Sequence, residues 1–132
     1  MELESDMRMF DDQMPIYIQM RQEIEKAIIK GLIKEDEMIP STRVLSQTYQ
    51  INQKTAVNAL SDLLNEKVLY KKRGIGIFVS PGSRKRLRER KQREYREEEL
   101  IATLEKGREL GISVEEILEM VSIIYKKKGE EQ

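Results

Sequence analysis

The stretch IPSTRVLSQTYQINQKTAVNALSDLLNEKVLYKKRGIGIFV, Ile39 to Val79, decides how the chain folds. Pro40 bars the residue before it from helix, and Ser41 is a good N-cap. A short helix is therefore expected over 42–49, with Val44, Leu45 and Tyr49 inward. Gln50 and Ile51 leave a tight connection before Asn52, a second N-cap. The next helix is expected over 53–66. Ala56, Ala59, Leu60, Leu63 and Leu64 form its apolar stripe, and Gln53, Lys54, Val57, Asn58, Ser61 and Asp62 its opposite face. VLYKKRGIGIFV then reads as a hairpin: strand 68–72, turn 73–76, strand 77–80. Its glycines permit the positive backbone angles of a tight turn.

Upstream, residues 1–13 show no period and read as frayed. From Pro15, suited to a first helical turn, Ile16, Met20, Ile24, Ala27 and Ile28 recur at spacings of three and four until Gly31 stops the helix. Met38 and Ile39 can form a short strand. Downstream, Pro81-Gly82 breaks the pattern and marks an expected domain boundary. A long charged helix follows, with few apolar positions (Leu87, Tyr95, Leu100, Ile101, Leu104), weakened or ended by Gly107 and Gly111. Ser113 with Glu116 makes a capping box. The last helix carries Val114, Ile117, Leu118, Val121, Ile124 and Tyr125 on one side, and its C-terminal Lys126–Lys128 suits the helix dipole.

Composition removes whole classes of function. The 132 residues contain no Cys and no His, which excludes disulfides, thiolate chemistry, the commonest general base and the commonest transition-metal ligand. No carboxylate pair sits in an apolar context, and no phosphate loop is present: Gly74 and Gly76 precede a strand rather than a helix. No catalytic residue, metal or cofactor is expected. No apolar run reaches the roughly 18 residues of a membrane span. The acidic N-terminus does not read as a secretory signal, so a cytoplasmic protein is expected.

Net charge is zero, but its distribution is uneven. Lys67 to Arg73 holds four cations and no anion, and Arg84 to Arg96 holds eight cations against two anions. The second run is either a solvated helical face or an aid to long-range attraction of nucleic acid.

Two short helices joined by a brief turn, the second with a polar outward start, make a helix-turn-helix. In that geometry the first turn of the second helix can reach base edges in a major groove. NQKT, Asn52 to Thr55, offers amides, a cation and a hydroxyl, suited to purine edges or phosphates, although the same residues serve equally as a solvated cap. The YKKRGIG hairpin tip suits a wing on the phosphate backbone or minor groove; the plain alternative is a basic loop.

Taken together, GLIKEDEMIPSTRVLSQTYQINQKTAVNALSDLL followed by GIGIFV resembles the winged helix-turn-helix of the GntR family of bacterial transcriptional regulators. The likeness rests on Gly31, Pro40 to Arg43, Leu45, Tyr49, Thr55, Ala59, Leu60, Leu63, Gly74, Gly76, Phe78 and Val79, and covers about residues 14–80. The short tail resembles the YtrA-like subfamily, whose members commonly sit with transporter operons and act as dimeric repressors. The resemblance implies DNA contacts at Arg43, at Asn52, Gln53, Lys54 and Thr55, and at Arg73 and Gly74; Asn58 and Lys72 join them by position. For Arg43 the residue-level alternative is a solvated or acid-paired arginine. The family usually has Arg where this chain has Gln53, and a polar or basic residue where it has Val57, so base preference should differ there.

The expected architecture is mainly α with a small β-hairpin: a winged helix-turn-helix domain over 14–82 and a two-helix dimerisation tail over 83–132. The tail is too short to build a core alone. Its stripe of Leu100, Leu104, Ile117, Leu118, Val121, Ile124 and Tyr125 is expected to pair with a second copy, giving a homodimer on a two-fold double-stranded operator. A small-molecule effector, of unknown identity, would have to lie at that interface near Tyr95, Leu104, Met120 or Tyr125. The competing reading is a winged helix that binds protein rather than DNA.

Overall fold

The computed structural model describes the backbone of residues 13–130 and side chains through Lys127; the expectation for residues 1–12 lies outside it. The chain divides into a head ending at Arg90 and a tail beginning at Lys91.

In the head, α1 (Ile16–Ile29) follows Pro15, whose carbonyl accepts from the Ile18 and Gln19 N–H groups. It closes with the Leu32 N–H on the Ala27 carbonyl (2.9 Å) and Gly31 at φ +79°, a turn in which a Cβ would be strained. Helix α2 (Thr42–Tyr49) is capped by Ser41, whose Oγ accepts from the Val44 N–H at 3.2 Å. It ends on Gln50 in the left-handed region, which turns the chain sharply into Asn52. Asn52 Oδ1 accepts from the Lys54 N–H at 2.8 Å and starts α3 (Gln53–Asn65).

Strands β1 (Leu69–Lys72) and β2 (Gly76–Val79) pair antiparallel, with Leu69 opposite Val79 and Lys72 opposite Gly76. The strands begin one residue later and earlier than the sequence pattern suggests. Val68 is still used to close α3, its N–H on the Leu63 carbonyl, and Gly76 already pairs with Lys72. The Met38–Ile39 strand amounts to one bridge, Met38 with Phe78, flanked by the Ile39 N–H on the Ile77 carbonyl. Pro40 ends it, having no N–H to give.

The core joins Met20, Ile24, Ala27 and Ile28 of α1 to Leu45 and Tyr49 of α2, Ala56, Ala59, Leu60 and Leu63 of α3, and Leu69 and Val79 of the hairpin. Two expectations fail. Ile16 and Val44 are nearly half exposed. Leu45 and Tyr49, one turn apart, define the inward line of α2, and Val44 lies about 100° around the helix from Leu45. Leu64 is only half-buried, at the edge of its stripe.

The head also runs past Gly82. Helix α4 (Ser83–Glu94) sends its first turns back onto the core: Leu87 is buried, and the Ser83 hydroxyl donates to the Val68 carbonyl at 2.8 Å. Burying one leucine contributes about 2 kcal/mol. Four arginines of this run, three of them still exposed, also fasten α4 to the head. Arg84 Nε and Arg88 Nη2 donate to the Ile29 carbonyl at 3.0 and 3.4 Å, at the C-terminus of α1 where cations are favoured. Arg86 Nη2 donates to the Lys67 carbonyl at 3.1 Å. Arg90 completes a ring of charges: Arg21 meets Glu66 at 2.6 Å and Glu25 at 3.5 Å, while Arg90 bonds Glu66 at 2.9 Å and also Glu25. Glu25 is buried, so this ring ties α1, the end of α3 and α4 together.

In the tail, a π-helical segment (Tyr95–Leu100) leads into α5 (Ile101–Glu109). Gly111, at φ +83°, turns the chain into α6 (Val114–Glu130), where Ser113 Oγ accepts from the Glu116 N–H at 3.1 Å. Gly107 does not end its helix. It is buried, and a Cβ there would lie 3.8 Å from Ile117 Cδ1, in ordinary contact with α6. Among the described residues no helix is long and apolar enough to cross a membrane.

Candidate nucleic-acid interface

The polar start of α3 faces outward. Gln53, Lys54 and Asn58 are exposed, while Ala56, Ala59 and Leu60 hold the opposite side in the core. Asn52 has a structural task as well, since its side-chain oxygen is occupied by the cap. Thr55 is half-buried. Gln53 Nε2 reaches Thr42 Oγ1 at 3.4 Å, which links the exposed starts of α2 and α3. Arg43 is exposed on the first turn of α2.

The hairpin tip supplies cations. Arg73, Gly74 and Ile75 form its turn, closed by the Ile75 N–H on the Lys72 carbonyl at 2.9 Å, with Gly74 at φ +77°. Lys72 lies on one face of the hairpin, its Nζ 4.5 Å from the centroid of the Phe78 ring. Phe78 stacks on Tyr70, whose hydroxyl donates to Asp36 Oδ1 at 2.8 Å; the bond to that carboxylate raises the Tyr70 pKa above its usual value. Lys71 points the other way, into a cleft of about 470 Å³ between α3, the start of α2 and the hairpin. Lys71 thus joins Lys72 as a hairpin cation, on the opposite face. The alternation of a strand, counted from buried Leu69, was the signal that places Lys71 on the α3 side.

The electrostatics are sorted by position. Residues 38–61 and 67–88 contain no Asp or Glu, yet carry Arg43, Lys54, Lys67, Lys71, Lys72 and Arg73. The acids between them, Asp62 and Glu66, are turned to Arg21, at 3.6 and 2.6 Å. A chain of zero net charge thus gathers cations in acid-free segments of α2, the start of α3 and the hairpin, with Asp36 held at the Tyr70 hydroxyl, a distribution suited to a polyanion.

The nominated tail residues lie apart from this surface in the sequence and have their own character. Leu118, Ile124 and Tyr125 are well over half exposed, Leu104 and Val121 somewhat less, and Leu100 and Ile117 half-buried. Ile101, Leu110, Met120 and Ile123 are also exposed, so the apolar face is wider than the sequence stripe.

Residues 16–79 match the family model described as bacterial regulatory proteins, gntR family. Over 84 residues the chain is 30% identical to the HTH-type transcriptional repressor YtrA of Bacillus subtilis (strain 168), covering 64% of this chain and 65% of that one. It is similar to the crystal structure of a putative transcriptional regulator of the GntR family from Bacteroides thetaiotaomicron, with TM-score 0.72, 29% identity, and coverage of 86% of this chain and 98% of that one. It is also similar to AraR(DBD) in complex with operator ORX1, with TM-score 0.50, 33% identity, and coverage of 55% and 88%. The chain spans 20%, 27% and 65% of the length of three curated relatives it matches.

Proposed function

The chain belongs to the GntR family of bacterial regulatory proteins, and on that premise we propose that it is a cytoplasmic, sequence-specific DNA-binding repressor that acts as a dimer. Helix α3 enters the major groove with Gln53, Lys54 and Asn58 toward base edges or phosphates. Arg43 at the start of α2, with Lys72, Arg73 and Gly74 at the hairpin tip, holds the backbone on either side. The observation that carries this reading is the outward placement of Gln53, Lys54 and Asn58 at the start of α3 together with the cations of the hairpin tip, in segments that hold no acid.

The tail supplies the second half. Contiguous exposed apolar side chains on α6 mark an interaction surface. A self-complementary pairing through Leu100, Leu104, Ile117, Leu118, Val121, Ile124 and Tyr125 would set two heads on half-sites one helical turn, about 34 Å, apart. A small-molecule effector would lie at this interface near Tyr95, Leu104, Met120 or Tyr125. A transporter operon as the regulated target follows from the resemblance to the YtrA-like subfamily alone.

Selection of bound duplexes from a random pool with the purified protein tests the whole reading. The expected product is a two-fold sequence whose affinity falls steeply with salt. Arg73→Ala should weaken all duplexes alike and reduce the salt slope by about 1, whereas Gln53→Ala should change base preference. Failure to enrich any duplex at low salt would leave only a protein-docking role for the winged head.

A further inference from the structure

The outward face of α3 carries an apolar residue, Val57, that the core does not use. Val57 is 43% exposed and lies one turn beyond Gln53, on the same face. A lone exposed valine is ordinary on a protein surface. Val57 is not alone: with Met38 and Ile75, both about half exposed or more, it lines the 470 Å³ cleft beside the hairpin. The lining also includes Lys71, Ser41 and Thr42, and no carboxylate. A matching occupant is apolar where it meets Val57 and anionic beside Lys71. A DNA strand has that combination at thymine, whose 5-methyl group projects into the major groove next to the phosphate track.

Resting on the DNA-binding reading above, we infer that Val57 is a specificity residue that reads the 5-methyl group of a thymine in each half-site. Its place on the helix fixes where that thymine lies. Four residues at 1.5 Å rise put Val57 about 6 Å beyond Gln53, close to two base steps of 3.4 Å. The thymine should therefore fall about two base pairs from the position whose preference changes in Gln53→Ala.

The test uses the full chain and the operator recovered by selection, with each thymine replaced in turn by deoxyuridine, which deletes only the methyl. Wild type should lose about fourfold in affinity per half-site at one position, the effect of one buried methyl group. Val57→Ala should lose the same factor on the parent duplex and be indifferent to deoxyuridine there. Val57→Thr, which keeps a methyl, should retain sensitivity. Because Val57 is exposed and alanine is the better helix former, these variants keep the fold. The inference is overturned if wild type binds every substituted duplex like the parent, or if Val57→Ala stays as sensitive as wild type. It is equally overturned if Val57→Ala changes the sedimentation of the free protein, which would put a second copy in the cleft. A protein that binds an operator but ignores thymine methyls refutes only this step, whereas one that binds no duplex removes the DNA-binding reading with it.

Discussion

Arg90→Ala is the sharpest test of how the head is held together. Arg90 lies 65 residues from Glu25 in sequence and bonds its carboxylate, which is only 2% exposed. Removing the guanidinium leaves a buried charge short of one partner, an event that costs about 3–5 kcal/mol when nothing else compensates. Here Arg21 stays 3.5 Å from Glu25, and Arg90 itself is 28% exposed and partly screened. The cost is therefore nearer 2 kcal/mol, plus about 0.5 kcal/mol for the half-exposed contact with Glu66. With a urea slope of about 1.5 kcal/mol/M, the unfolding midpoint should fall by well over about 1 M. Protein concentration must be fixed throughout, because association shifts apparent stability. The paired change Arg90→Leu with Glu25→Met removes both charges and should cost less than half as much as Arg90→Ala alone. A midpoint unmoved by Arg90→Ala, or a double variant that simply sums its parts, would refute the claim that α4 is fastened through this charge ring.

Three further outcomes follow from particular contacts. Ser41→Ala and Asn52→Ala should each destabilise the head by about 1 kcal/mol in urea unfolding, and Asn52→Asp should recover most of it, since a carboxylate also accepts at that cap. Tyr70 should ionise above the usual value near 10 because its hydroxyl donates to Asp36. The folded state is favoured by that bond below the unfolded pKa and loses it as pH rises through the higher folded value. The tyrosinate absorbance difference between wild type and Tyr70→Phe should move back down in Asp36→Asn. On the proposed dimer, Val121→Glu should yield a monomer in sedimentation and weaken operator binding, because it places a charge on the exposed apolar face of α6.

Much of the candidate site was legible in the chain because its determinants are local. Ser41 and Asn52 announce helix starts through bonds that span two or three residues. The stripe of Ala56, Ala59, Leu60 and Leu63 leaves Gln53, Lys54 and Asn58 no face but the outer one. Lys71 and Lys72 were less legible: both are cations in one run, and only the hairpin register sends one to the cleft and the other onto Phe78. That the compact head extends to Arg90 was hidden for a related reason. Pro81-Gly82 is a true break in the pattern, but Leu87 lies in the head's core five residues past Gly82, and a lone leucine in a run of arginines carries no periodic signal.

The amino-acid order by itself determined which segments are helix or hairpin, where the capped helices begin, and which side of α3 is polar. Those choices depend on caps, turns and periodicity within about four residues. Tertiary structure alone decided what the charges do. A guanidinium in a sequence is a donor without an address, and its partner can lie 24 or 65 residues away, as Glu66 and Glu25 lie from Arg90. Folding spent Arg84, Arg86, Arg88 and Arg90 on the protein's own carbonyls and carboxylates, and left Lys54, Lys71, Lys72 and Arg73 exposed on α3 and the hairpin.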